Sequence, residues 1–273
     1  LLSEPFKQSN ESFLLVEECS HSFPSLTIGF TTKNNGFSKK PFHSFNMGLH
    51  VDDLDQNVIK NRQKLSDLLK FPLNKWVGAQ QTHETTIQWV TQEDAGYGSS
   101  DYKSALRKTD GLMTNQSGIL LTMCYADCVP LYFIEPESNL IGIAHAGWKG
   151  SVGNIAGKMV EKFEASGATP SKIRVVIGPS ICQSCYQVNH IVIDEIEKVL
   201  SFDQVRPYTQ VGHDQFQLDL HKLNTQLLLN SGILRNNITL STYCSSCDDH
   251  LFYSHRRDNG KTGRMMSFIG WKE

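Results

Sequence analysis

Apolar positions are densest at residues 118–153, where three short hydrophobic runs, 119–123, 129–134 and 140–144, follow one another. Each is short, carries β-branched residues and is bounded by polar or turn-forming positions, so each reads as a buried strand. Pro136-Glu137-Ser138-Asn139 separates the last two as a turn. The pattern predicts a buried sheet that aims Cys128 and His145 at one place. Beyond His145 the chain reads Ala146-Gly147-Trp148-Lys149-Gly150-Ser151-Val152-Gly153 before a helical pattern begins. Strand-to-helix turns of this kind commonly carry function.

The pattern extends over the rest of the chain. Runs 13–16 and 26–31 predict strands, followed by an Asn34-Asn35-Gly36 turn. A helix capped by Asp53 or Asp55 runs to about Lys70, with Val58, Leu65, Leu68 and Leu69 on its apolar stripe and Asn61 and Arg62 in its middle. Residues 76–80 and 85–90 read as extended segments on either side of His83. Residues 96–104 read as a mobile loop and 110–114 as a short strand. Ile155, Met159 and Phe163 recur at helical spacing until Gly167. Strands at 172–177 and 238–242, helices over 188–200 and 218–230, and a closing hairpin of 251–254 with 265–269 complete the reading. Strands and helices mix throughout, which predicts an α+β fold, a mixed β-sheet core covered by helices, in a single domain spanning 1–273.

Composition narrows the function. The 273 residues are 39% hydrophobic and 20% charged, ordinary for a soluble globule, and the formal charge of -2 gives no basic field for nucleic acid or an anionic membrane. No apolar run approaches the roughly 20 residues of a membrane span, and the first residues lack the layout of a signal peptide. The expectation is a cytoplasmic protein, a monomer or homodimer, that handles small molecules, with neither nucleic acid nor membrane as partner. Seven cysteines, an odd number, point to thiols or metal ligands in preference to a disulfide framework.

Three readings of the cysteines and histidines follow. His83, Cys128 and His145 have the residue types of a catalytic zinc site, which needs three protein ligands and one open position; their separations of 45 and 17 residues require the fold to assemble them. Cys128 and His145 alone also suit a thiolate nucleophile with its base, the pairing of a cysteine hydrolase or deamidase. The two Cys-x-x-Cys pairs, Cys182/Cys185 and Cys244/Cys247, have 58 residues between them and suit a structural zinc, redox pairs or free thiols. Arg62, Lys149 and Arg264 are candidate anion contacts, set against readings as a surface arginine, part of a tight strand-to-helix connection and a solvated hairpin tip.

Several motifs together resemble the YfiH/YlmD family, in particular its Bacillus-type members once labelled laccase-like polyphenol oxidases. They are Ala126-Asp127-Cys128-Val129-Pro130, Ala144-His145-Ala146-Gly147-Trp148-Lys149-Gly150, Ile177-Gly178-Pro179-Ser180-Ile181, Gln81-Thr82-His83 and Ser254-His255-Arg256-Arg257-Asp258. The resemblance implies a YfiH-like fold and a zinc, or alternatively copper, held by His83, Cys128 and His145. It further implies purine nucleoside phosphorylase activity on adenosine, inosine and S-methyl-5'-thioadenosine, with adenosine deaminase activity in the same pocket. Catalytic roles are then expected at Cys128, His145 and Asp127, with Glu84 as another acid/base candidate. Contacts to purine nucleoside and phosphate are expected at Asn46, Arg62, Gln81, Lys149 and Arg264. A copper polyphenol oxidase remains an alternative, opposed by the absence of any His-x-His among the ten histidines.

Overall fold

The structure, a computed structural model, describes residues 3–273. β1 (Phe6–Asn10) and β2 (Phe13–Val16) form a hairpin, and the short α1 (Glu17–Ser22) leads to β3 (Leu26–Thr31), which pairs with β2. Next come α2 (Asp55–Leu69), β4 (Trp76–Gly78), β5 (Ile87–Trp89) and β6 (Gly111–Thr114). The dense apolar stretch becomes β7 (Leu120–Tyr125), β8 (Val129–Glu135) and β9 (Leu140–Ala146), followed by α3 (Trp148–Val152) and α4 (Ile155–Ala165). The remainder holds β10 (Arg174–Ile177), β11 (Gln187–Val188), α5 (His190–Glu197), β12 (Tyr208–Gly212), β13 (Gln215–Leu218), α6 (Leu220–Asn230), β14 (Ile238–Leu240) and β15 (Met265–Trp271).

Two six-stranded sheets carry the fold, ordered β1-β2-β3-β15-β7-β4 and β14-β10-β8-β9-β6-β5, beside a small β11-β13-β12 sheet. Successive side chains of a strand face opposite ways, and the core divides accordingly. In β8, Tyr132 and Ile134 pack between the two large sheets, while Val129, Leu131 and Phe133 face α4, α5 and α6. In β15, Met265, Ile269 and Trp271 face the inter-sheet layer, and Met266 and Phe268 face Leu65 and Leu69 of α2. The order is therefore helix, sheet, sheet, helices. Strands apolar on both faces are what such burial requires, and truncating one of their fully buried rings, as in Phe133→Ala, costs about 3–5 kcal/mol.

The helices follow local chemistry. α2 buries Val58, Asn61, Arg62, Leu65, Ser66 and Leu69 at helical spacing and ends where Lys70 turns left-handed at φ 52°. Its N-cap is Leu54, with no side-chain cap; Asp53 accepts the Leu54 N–H instead. α4 begins at Asn154, whose side chain accepts the Gly157 N–H. No helix of the described residues is long and apolar enough to cross a membrane.

Three expectations are corrected. The hydrophobic pattern places the run at 119–123 in one sheet with the next two, but β7 lies in the first large sheet and β8 and β9 in the second. Residues 126–128 cross between them, because a chain burying both faces can join either sheet. The hairpin of 251–254 with 265–269 does not form. Residues 251–254 are buried irregular chain, with the Tyr253 hydroxyl donating to the Phe42 carbonyl at 2.6 Å, and β15 pairs with β3 and β7. The glycine-rich turn after His145 is largely a short helix, α3, and the small three-stranded sheet had no counterpart in the sequence reading.

Candidate metal and active site

Hairpin register brings the first two side chains together. β8 and β9 pair antiparallel with Val129 opposite Ala146 and Pro130 opposite His145, so Cys128, just before β8, falls beside Gly147, just after β9. A Cβ on Gly147 would lie 2.8 Å from Cys128 Sγ and 3.5 Å from His83 Cδ2. A side chain at 147 would therefore force the thiol to move. The third side chain arrives from the loop between β4 and β5, where His83 adopts φ 62°. One ligand atom each from His83, Cys128 and His145 lie within 4.8 Å of one another, and the two imidazoles meet edge to face with centroids 4.8 Å apart.

Asp110, fully buried just before β6, organises this cluster. Its carboxylate accepts the backbone N–H groups of Thr82, His83 and Glu84 at 3.0–3.1 Å, which holds the His83 loop in its left-handed turn. Its Oδ1 also lies 2.8 Å from His145 Nδ1. A carboxylate there can only accept, so Nδ1 carries the hydrogen and Nε2 is left for Cys128. Burial pushes the Asp110 carboxyl up, but the hydrogen bond and charge of His145, together with the Glu84 and Thr82 amides, hold it below the ordinary carboxylate value.

The same contacts acidify the thiol. Burial raises the Cys128 thiol, yet the charge and hydrogen bond of His145, and then those of His83, bring it down to about 6. Burial lowers His145, yet the Cys128 charge and the Asp110 hydrogen bond raise it to about 9. An easily ionised thiol and two imidazoles, one oriented by a carboxylate, are a donor set that fits a transition metal; the Asp–His contact is the usual outer support of such a ligand. The set suits zinc and, as His2Cys, copper.

The other expected site residues are placed as follows. Asn46 is fully buried: its Oδ1 accepts the Gly48 and Arg264 N–H groups and its Nδ2 donates to Asp53. Gln81 forms a double bond-pair with the Cys124 backbone, donating to its carbonyl and accepting its N–H, both at 2.8 Å. Arg62, only 4% exposed, donates to the carbonyls of Met47, Gly98 and Ser99 at 2.5–3.0 Å. In this structure the polar atoms of all three brace neighbouring chain, Asn46 through Gly48, Asp53 and Arg264, Gln81 through Cys124, and Arg62 through Met47, Gly98 and Ser99. Asp127, expected as catalytic, accepts the Ser245 hydroxyl at 2.6 Å and the Arg256 N–H at 2.7 Å while its backbone sits at φ 89°. Both oxygens are engaged, so it anchors the turn before Cys128. Lys149 is exposed, with its ammonium 5.7 Å over the Trp148 ring.

Arg264 keeps its candidacy. It is half-buried, donates through Nη1 to the Thr262 and Gly263 carbonyls, and lies within electrostatic reach of Cys124, Cys128 and Asp127, whose charges oppose the lowering caused by its burial. His50, whose ring is tilted 37° to that of Tyr102 with centroids 5.6 Å apart, is within electrostatic reach of Arg264, His145 and His83. Sequence reasoning missed His50 and, above all, Asp110. The one available signal was an acidic residue immediately before a short apolar run, too common to single it out.

Known proteins resemble the chain along nearly its whole length. Residues 27–272 match a family described as multi-copper polyphenol oxidoreductase laccase. The chain is 46% identical to a Bacillus subtilis protein named purine nucleoside phosphorylase YlmD, covering 98% of each chain. Among solved structures it resembles Bacillus licheniformis hypothetical protein YfiH, with a TM-score of 0.96 and 47% identity over 99% of this chain and 100% of that one. YlmD from Geobacillus stearothermophilus gives a TM-score of 0.97 with 43% identity over the same shares.

Proposed function

The chain belongs to the polyphenol oxidoreductase laccase family that takes in YfiH and YlmD, and on that premise we propose that it is a zinc-dependent purine nucleoside phosphorylase. It would convert adenosine, inosine or S-methyl-5'-thioadenosine with phosphate to free base and pentose 1-phosphate, and deaminate adenosine in the same pocket. The observation that carries the reading is the Asp110-oriented cluster of His83, Cys128 and His145, with Arg264 within electrostatic reach of Cys128. Relatives named purine nucleoside phosphorylase support the substrate class.

His83, Cys128 and His145 would hold the zinc, which when bound supplies Lewis-acid polarisation of a substrate heteroatom. The chain's own residues do the rest. In phosphorolysis the bond from C1′ to the purine nitrogen breaks, an oxygen of hydrogen phosphate bonds to C1′, and the base leaves with the proton that the phosphate gives up. Arg264 would hold the phosphate with the N–H donors not engaged by Thr262 and Gly263. Asp110 keeps His145 in one tautomer and one orientation. A multicopper oxidase needs further histidine-rich centres, whereas the metal-capable groups among the described residues contain only two histidines, His83 and His145. That favours phosphorolysis over phenol oxidation.

The test is incubation of the zinc-loaded protein with adenosine and phosphate, read as adenine and ribose 1-phosphate. Unchanged adenosine overturns the reading, and inosine with ammonia formed without phosphate isolates the deaminase part. A second reading, a cysteine hydrolase with Cys128 as nucleophile and His145 as base, is favoured by the depressed thiol and raised imidazole. Its activity would survive chelation and end on alkylation of Cys128, the reverse of the zinc enzyme's dependence on metal.

A further inference from the structure

The phosphorylase reading leaves four cysteines unused, and the fold brings them together. β10 and β14 run parallel, with Ile177 opposite Leu240, so the chains leaving their carboxyl ends emerge side by side. Pairing continues past the strands: Ser180 bridges Cys244, and the Ser245 N–H donates to the Ser180 carbonyl. Each outgoing chain carries one Cys-x-x-Cys at the same height, which is how two pairs 58 residues apart in sequence meet.

The resulting geometry is that of a metal knot. Ligand sulfurs of Cys182, Cys185, Cys244 and Cys247 all lie within 4.8 Å of one another. Cys247 Sγ is 3.9 Å from Cys182 Sγ and 3.4 Å from Cys185 Sγ. A tetrahedral zinc with Zn–S bonds near 2.3 Å implies sulfur–sulfur edges of about 3.8 Å. The Cys182 and Cys247 backbone N–H groups both donate to Cys244 Sγ, at 3.2 and 3.4 Å. Amides turned toward a sulfur suit a thiolate, which accepts hydrogen bonds far better than a thiol. All four cysteines are free of disulfides.

We propose that Cys182, Cys185, Cys244 and Cys247 form a second, structural zinc site of the tetrathiolate type, distinct from the His83, Cys128 and His145 centre. Its four protein ligands fill a tetrahedron and leave no position for substrate. Its consequence reaches the active site through Ser245, which lies inside the second pair and donates to Asp127, next to Cys128. Arg257 fastens the same turn by donating to the Ser245 and Ser246 carbonyls. The zinc thus fixes a turn that buttresses Asp127 and the neighbouring Cys128.

The test is zinc per chain by elemental analysis of the full chain purified under reducing conditions, for the wild type, Cys128→Ser, and Cys182→Ser/Cys247→Ser. The wild type should carry one more zinc than Cys128→Ser, and Cys128→Ser should keep the zinc that Cys182→Ser/Cys247→Ser loses. Because the paired variant risks misfolding, cobalt(II) titration of Cys128→Ser gives a second readout. Intense visible bands and thiolate-to-cobalt charge transfer of a tetrathiolate site support the proposal. Unchanged zinc content on losing Cys182 and Cys247, iron in place of zinc, or Cys128→Ser protein that shows no tetrathiolate cobalt spectrum overturns it.

Discussion

Asp110 Oδ1 lies 2.8 Å from His145 Nδ1, and the carboxylate that makes this contact also holds the backbone of the loop bearing His83. One buried side chain therefore sets the position of two candidate ligands from different parts of the chain. Asp110→Asn should keep the fold but weaken zinc binding roughly 10–100-fold, the usual loss when an outer-shell partner of a ligating histidine is changed. Zinc titration against a competing chelator measures it, and unchanged affinity would remove Asp110 from the site. Asp110→Ala should in addition lower stability, by about 1–3 kcal/mol for each buried donor left unpaired.

Gly147→Ala should strike the cluster with little effect elsewhere. The added Cβ falls 2.8 Å from Cys128 Sγ, so the thiol must move. Overpacking of this kind costs about 1–3 kcal/mol. A thermal melt should show a modest loss, whereas zinc occupancy at the His–Cys–His centre should fall sharply; a variant with full occupancy contradicts the geometry.

Arg62 and Arg264 should separate cleanly. Arg62→Met removes donors to the Met47, Gly98 and Ser99 carbonyls and should appear mainly as lost stability. Arg264→Gln should raise the KM for phosphate with a much smaller effect on the melting temperature. The opposite pattern would return Arg62 to the phosphate site and exclude Arg264.

Metal-free protein should show a pH window. Cys128 is depressed to about 6 from an ordinary 9.0, so its stabilising contribution is complete above 9 and is lost as pH falls through about 6. His145 is raised to about 9 from 6.5, so its contribution is complete below 6.5 and is lost as pH rises through about 9. Both describe one thiolate–imidazolium contact, which counts once. Melting temperature after chelation should therefore peak between about pH 6 and 9, and alkylation of Cys128 should have its midpoint near the lower edge. A midpoint at an ordinary thiol value would refute the pairing.

The sequence by itself determined the strands of the apolar stretch, because runs buried on both faces leave a strong local signal: β8 and β9 fall where the hydrophobic pattern ends and begins. It determined the residue types of the metal cluster too, since thiol and imidazole are recognisable wherever they stand. What only tertiary structure decided was partnership. Asp110 became the organising carboxylate, and Asn46, Arg62 and Gln81 became braces, through hydrogen-bond partners 2 to 218 residues away in the chain. The two Cys-x-x-Cys pairs met only because β10 and β14 lie parallel in one sheet. Hydrophobic periodicity is a property of neighbours along the chain, whereas the donors a buried polar group will find depend on which strands pair.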